Sequence, residues 1–222
     1  MVFRIGGEEG AWRLIVPLFV TDGKGNSVES YALLDGGSTR HVVSRDIARR
    51  LGIVGQKVRM CVTTLDHSVE SEREIATVSV VGLNGLEVAL TNAIFGDIIA
   101  SHDDRPPRDS DIEGMDHLEG VKFPAFPGGS PDGGRPEVQI GVIIGAEHAR
   151  LWTLGERRDG GDALPVGVAT DLGWALLGPR ASSATHCFSC NHASFSNLDP
   201  DVSDDLRAFF ARGFERDRKS VV

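Results

Sequence analysis

The sequence predicts a mostly β protein with short helices, and three observations carry that reading. Short Val- and Ile-rich runs alternate with Gly, Pro, Asn and Asp clusters, which is the composition of strands and turns. Glycine is abundant at 27 residues, as many tight turns require. The apolar fraction of 41% is enough to build a packed core, which argues against wholesale disorder. At 222 residues the chain fits one domain of ordinary size with an extension, or two small ones.

The bulk chemistry narrows the function classes. A formal charge of −9 repels phosphate backbones, so nucleic-acid binding is disfavoured. Three cysteines, Cys61, Cys187 and Cys190, do not make a disulfide framework, which points to a reducing, intracellular setting. MVFRIGGEEG has no apolar core of a signal peptide, and no apolar run reaches the ~18 residues of a membrane helix. A cytoplasmic protein without a membrane partner is therefore expected, and no cofactor is read from the sequence.

Each element then follows in order. Trp12 to Val20 reads as a strand and Val28 to Leu34 as its antiparallel partner, joined by the turn chemistry of TDGKGNS. Ser44 caps a short helix in SRDIARRLGI, with Ile47 and Leu51 on one face and Gly52 at its end. Residues 58–65, 73–82 and 86–95 read as strands, and Asn84-Gly85 turns the chain between the last two. From Ile99 to Pro136 the composition is that of a loop, with one short helical turn over Met115 to Leu118. Val138 to Gly145 is a continuous apolar run, hence a fully buried strand. A short helix in AEHARLWTL and strands over Leu164–Ala169 and Leu172–Leu177 complete a domain spanning 1–180. Residues 181–222 read as a linker followed by an amphipathic helix bearing Leu206, Phe209, Phe210 and Phe214.

Chemistry concentrates in YALLDGGS, Tyr31 to Ser38. An apolar strand runs into Asp35, and Gly36 and Gly37 let the backbone turn so that amide N–H groups can bond the carboxylate. A carboxylate on a rigid strand end, aimed outward, suits acid–base work. Asp-Gly-Gly is also a common turn, and Asp132 and Asp159 head two further copies that lack a preceding apolar strand. From the residues alone, both readings of Asp35 stand.

Asp-Gly-Gly-Ser after an apolar strand and, much later, Ile143-Ile144-Gly145 together resemble the retropepsin-like aspartic proteases. ALLDGGSTRHVVSRDIARRLGI, VIIGAEH and VATDLGWALLGPR, in that order, resemble more narrowly the BEL/Pao retrotransposon peptidases, over about residues 12–180. That resemblance implies a closed β-barrel of the acid protease fold, one lobe per chain. It also implies a homodimer in which two copies of Asp35 activate a water against the peptide bonds of the protein's own Gag-Pol-like polyprotein. Gly36, Gly37, Ser38 and Thr39 would form the active-site loop, and Ile143, Ile144 and Gly145 the supporting strand. The tail would be the spacer before a reverse transcriptase, and the setting the cytoplasm or virus-like particles within it. A flap over the substrate is expected with its tip near Thr64 to Ser71, where Thr64, Leu65, Asp66 and His67 would bind substrate; an ordinary exposed hairpin is the alternative. The chain departs from the family at Gly36, where Thr or Ser normally bonds across the dimer, and Ser38 and Thr39 are the nearest hydroxyls that can stand in.

Other chemistry finds less support. His186, Cys187, Cys190 and His192 are zinc-ligand types, but structural zinc sites join two separated pairs, so a spacer is expected and no metal. No G-x-S-x-G is present, and Cys61 reads as a small buried hydrophobe. His41, in RHVV, suggests packing near the loop, and Trp152 and Trp174 read as core.

Overall fold

A computed structural model of the chain describes residues 2–5, 11–64, 68–100, 104–127, 138–180 and 193–197. In chain order the strands are β1 (Val2–Ile5), β2 (Ala11–Trp12), β3 (Ile15–Thr21), β4 (Ser27–Asp35), β5 (Val42–Ser44), β6 (Gln56–Thr64), β7 (Ser68–Gly82) and β8 (Glu87–Ala100). They continue with β9 (Ile140–Gly145), β10 (Arg157–Arg158), β11 (Val166–Thr170), β12 (Gly173–Pro179) and β13 (Ala193–Asn197). Among the described residues helix is scarce: α1 (Arg45–Arg50), α2 (Arg150–Thr153) and three short 3-10 segments.

Six strands close a barrel in the order β3, β4, β9, β5, β8, β7 and back to β3. Closure leaves these strands no open edge, which suits short, strongly apolar strands. The β4–β9 and β5–β8 pairs are parallel, and the other four are antiparallel. Alternation along each strand divides the side chains between two faces. Val16, Leu18, Val20, Ala32, Leu34, Val78, Val80, Leu90, Phe95, Val142 and Ile144 share one cluster. Ile15, Tyr31, Leu33, Val42, Ile140 and Ile143 form a second, closed over by Phe126, whose ring meets Phe19 edge-on at 5.5 Å. Strand β9 is thus buried on both faces, the physical reason its sequence is an unbroken apolar run.

The first expected strand is divided in two. Backbone departs from the ladder at Arg13-Leu14, and Trp12 pairs instead with Gly178 of β12. Strand β2 thereby joins a second sheet in the order β10, β11, β12, β2. Trp12 is buried beside Leu118, Val121 and Leu176, with the guanidiniums of Arg105 and Arg180 over its ring at 5.1 and 4.1 Å. Helix α1 forms as expected, with the Ser44 hydroxyl accepting from Asp46 N–H. Asn84-Gly85 turns between β7 and β8, Gly85 taking a φ of +84° that disfavours a side chain.

Four expectations change. Residues 104–127 are no loose loop: Leu118 is fully buried, and Val121 and Phe126 nearly so. Their apolar residues are too isolated to give a periodic signal, and they pack as single anchors between turns. Cys61 is half-buried rather than core, on the β6 strand that extends beyond the barrel. Trp174 is only partly buried, with Arg158 stacked 5.1 Å above it, whereas Trp152 is in the core. Strand β13 lies within the stretch read as a linker and pairs antiparallel with the outer edge of β6, Ala193 opposite Thr64 and Asn197 opposite Met60. The amphipathic helix, the His186 to His192 cluster and Asp132-Gly133-Gly134 lie outside the described residues. Among the described residues no helix is long and apolar enough to cross a membrane.

Candidate active site

Asp35 is the last residue of β4 and pairs in parallel register with Gly145, the last residue of β9. Strand β9 runs between β4 and β5, so the connecting segment, residues 36–41, arches over the end of β9. That arch makes close contact with β9. A Cβ on Gly145 would meet the Arg40 carbonyl oxygen and lie 2.7 Å from that of Ser38. Gly145 is required by this approach rather than by its dihedrals, which at φ −81° and ψ 178° any residue can adopt.

A set of hydrogen bonds fixes the arch. Gly37 N–H donates to the Asp35 carboxylate at 2.8 Å, and Ser38 N–H to the Asp35 carbonyl at 3.3 Å. Ala146 N–H donates to the Ser38 carbonyl at 2.8 Å, sewing the arch to the strand beneath it. The Ser38 hydroxyl donates to the Arg40 carbonyl at 2.8 Å and is buried. Its proton is therefore engaged within its own loop. Thr39 is half-buried and Gly36 exposed.

Below the arch lies a histidine pair that sequence reasoning did not join. His41 is 0% exposed, its Nδ1 3.1 Å from Gly145 N–H and its Nε2 2.9 Å from His148 Nδ1. Glu147 reaches His41 Nε2 at 3.3 Å and bonds the Arg40 guanidinium at 2.7 Å. Burial, then the neighbouring His148 and Arg40, lowers the His41 pKa to about 4, so the ring is neutral at ordinary pH. RHVV and GAEH are more than a hundred positions apart, and neither resembles a recognised pairing pattern.

Asp35 opens onto a cleft of about 510 Å³ whose walls include Leu14, Leu33, Gly36, Trp152, Arg157 and Leu177. Leu177 is 46% exposed there, so the cleft offers apolar surface next to a carboxylate. A cavity of about 720 Å³ at the far end of β4, around Ser27, Ser44 and Gln139, contains none of the expected site residues. The structure thus joins Asp35, Gly36, Gly37, Ser38 and Thr39 to Ile143, Ile144 and Gly145. Thr64 ends β6 in the β6–β7 hairpin, whereas Leu65, Asp66 and His67 lie outside the described residues. Asp159 behaves as the plain turn it resembles, accepting from Gly161 N–H at 2.8 Å on an exposed loop. Among the described residues no group of three or more His, Cys, Asp or Glu side chains is placed to hold a metal ion.

No family model, curated protein or solved structure matches the chain.

Proposed function

We propose that the chain is an aspartic endopeptidase of the retropepsin-like, BEL/Pao type, in which two copies place their Asp35 carboxylates face to face. The observation that carries this reading is the seating of Asp35. A strand-end carboxylate is held by the Gly37 amide, registered against Gly145 and open to an apolar cleft. The closed six-stranded barrel, with one such arch among the described residues, supports a single lobe whose partner must supply the second carboxylate.

Two carboxylates a few Å apart share one proton. The ionised one takes a proton from a water held between them, and the water oxygen attacks the scissile carbonyl carbon. The other carboxyl gives its proton to the carbonyl oxygen, forming a neutral diol. Collapse breaks the C–N bond, and the nitrogen leaves with a proton returned by the dyad. An extended polypeptide, here the chain's own polyprotein, would lie as an added strand between the β6–β7 hairpin and the barrel. Such a role places the protein inside cells. The test is pepstatin-sensitive cleavage of a peptide library at mildly acidic pH, with Asp35→Asn beside the wild type over a dilution series. Activity that vanishes in the variant and falls faster than linearly on dilution supports the reading.

One observation favours a second reading. Gly36 has no hydroxyl to lock two arches together, and Ser38 is engaged internally. A catalytically degenerate module for dimerisation or peptide binding would be dimeric by sedimentation, with wild type and Asp35→Asn equally inert.

A further inference from the structure

Strand β9 ends under the arch, where its last amide faces the β5 side of the barrel. The β5–β9 ladder pairs Val42 with Ile143 and Val43 with Val142 and stops there. The Gly145 N–H therefore lies beyond the last residue paired with β5, in a buried position where an unbonded amide is costly. Its acceptor is a side chain, the Nδ1 of His41.

That contact fixes the chemistry of the ring. Nδ1 must carry a lone pair, so the proton of neutral His41 sits on Nε2. There it can be donated to His148 Nδ1 at 2.9 Å, with the Glu147 carboxylate 3.3 Å away. The titratable and charged groups facing the ring are Arg40 on its own segment and Glu147 and His148 on the turn after β9. A second proton could enter only at Nδ1, where it would face the Gly145 N–H and abolish the bond.

We propose that His41 is a positioning residue for Asp35. Its neutral imidazole, kept as the Nε2–H tautomer by His148 and Glu147, clamps the end of β9 beneath the arch and so fixes the direction of the Asp35 carboxylate. The catalytic half of this statement rests on the protease reading; the clamp itself does not. Acid should release the clamp as His41 takes up its proton, near pH 4.

Amide hydrogen exchange on the full chain tests this without turnover, with protection at Gly145 compared with Leu18 in the barrel wall. His41→Leu removes the acceptor. His41→Asn keeps an acceptor oxygen close to the Nδ1 position but cannot titrate. The expected result is a loss of Gly145 protection in H41L of at least about tenfold with Leu18 unchanged, and recovery in H41N. Wild-type Gly145 protection should step down as pH falls through about 4, and H41N should show no step. Where peptide is cleaved, H41L should lower kcat with little change in KM, and H41N should restore it towards wild type. Undiminished Gly145 protection in H41L, or the same acid step in H41N, overturns the proposal. Should H41L fail to fold, the acid step in wild type against H41N decides alone. A wild type that cleaves nothing counts against the protease reading, and exchange still decides the clamp.

Discussion

Gly145→Ala separates the steric demand of the arch from every other role of the residue. The backbone at φ −81° and ψ 178° accepts alanine without strain, so the methyl group itself is the perturbation. It would lie 2.7 Å from the Ser38 carbonyl oxygen and nearer still to that of Arg40. Carbon–oxygen contacts settle at about 3.3 Å, so both carbonyls must retreat by roughly 0.6 Å or more. Both belong to backbone, and the arch cannot yield by a rotamer change. Overpacking of this kind costs about 1–3 kcal/mol. Retreat also stretches the Ala146-to-Ser38 and Gly145-to-His41 bonds, at about 1 kcal/mol for each one lost. The reduced entropy of the unfolded chain offsets ~0.5 kcal/mol of this. The net expectation is a loss of about 2–4 kcal/mol, read by urea unfolding as a midpoint lowered by about 1–2 M at unchanged slope. Gly36→Ala is the control, because nothing lies within 4 Å of a Cβ there. A Gly145→Ala midpoint within error of wild type would refute the claim that the arch rests on β9.

Asp35→Asn should abolish peptide cleavage while shifting Tm by no more than a few degrees, since an amide oxygen can still accept from Gly37. Loss of folding in that variant would make Asp35 structural. The His41 pKa is depressed from 6.5 to about 4 in the folded state, so its contribution is full above pH 6.5 and fades as pH falls through 4. The loss amounts to about 3 kcal/mol; His41→Asn should flatten that part of the stability–pH curve, measured by urea titration from pH 7 to 3. Arg105 donates two 2.7 Å bonds to Asp111, whose carboxyl is pushed up by burial but more strongly pulled down by Arg105 and the Arg108 amide. Arg105→Ala should cost about 2 kcal/mol and raise proteolysis within 104–127, both measurable on one sample. Nothing lies within 4 Å of a Cβ at Gly36, so Gly36→Thr should move monomer stability by less than about 0.5 kcal/mol. If the missing hydroxyl limits dimerisation, sedimentation should show tighter association; an unchanged dimer constant would count against a role for that position.

What could be read beforehand follows the range of each signal. The β3–β4 hairpin, the capped helix α1 and the Asn84-Gly85 turn are local, and a few adjacent residues define them. The all-apolar run of β9 announces burial on both faces, and that alone places Ile143-Ile144-Gly145 deep in the fold. Nothing local announces that Gly145 N–H will end on His41, because the partners are distant and neither is unusual in its own segment. Leu118, Val121 and Phe126 were hidden for a related reason: single apolar anchors in a polar stretch have no period to detect. Strand β13 was hidden by its composition, since in ASFSN a single Phe195 among small and polar residues gives no alternating signal, and the strand geometry comes from pairing with the β6 backbone.

The route by which β9 enters the barrel also bears on the order in which the protein assembles. The two strands that flank it, β4 and β5, precede it by about a hundred residues, and the Asp35–Gly145 pairing is among the longest-range contacts in the fold. The β3–β4 and β7–β8 hairpins can close early at small entropic cost, whereas a parallel strand inserted between two existing ones must wait for a large loop to close. On the ribosome, the N-terminal half therefore emerges with a gap where β9 belongs, and the 36–41 segment has nothing to arch over. Contact order therefore predicts that Asp35, made early, acquires its fixed orientation late, in the step that seals the barrel. Folding and the completion of the site are expected to coincide as one kinetic event.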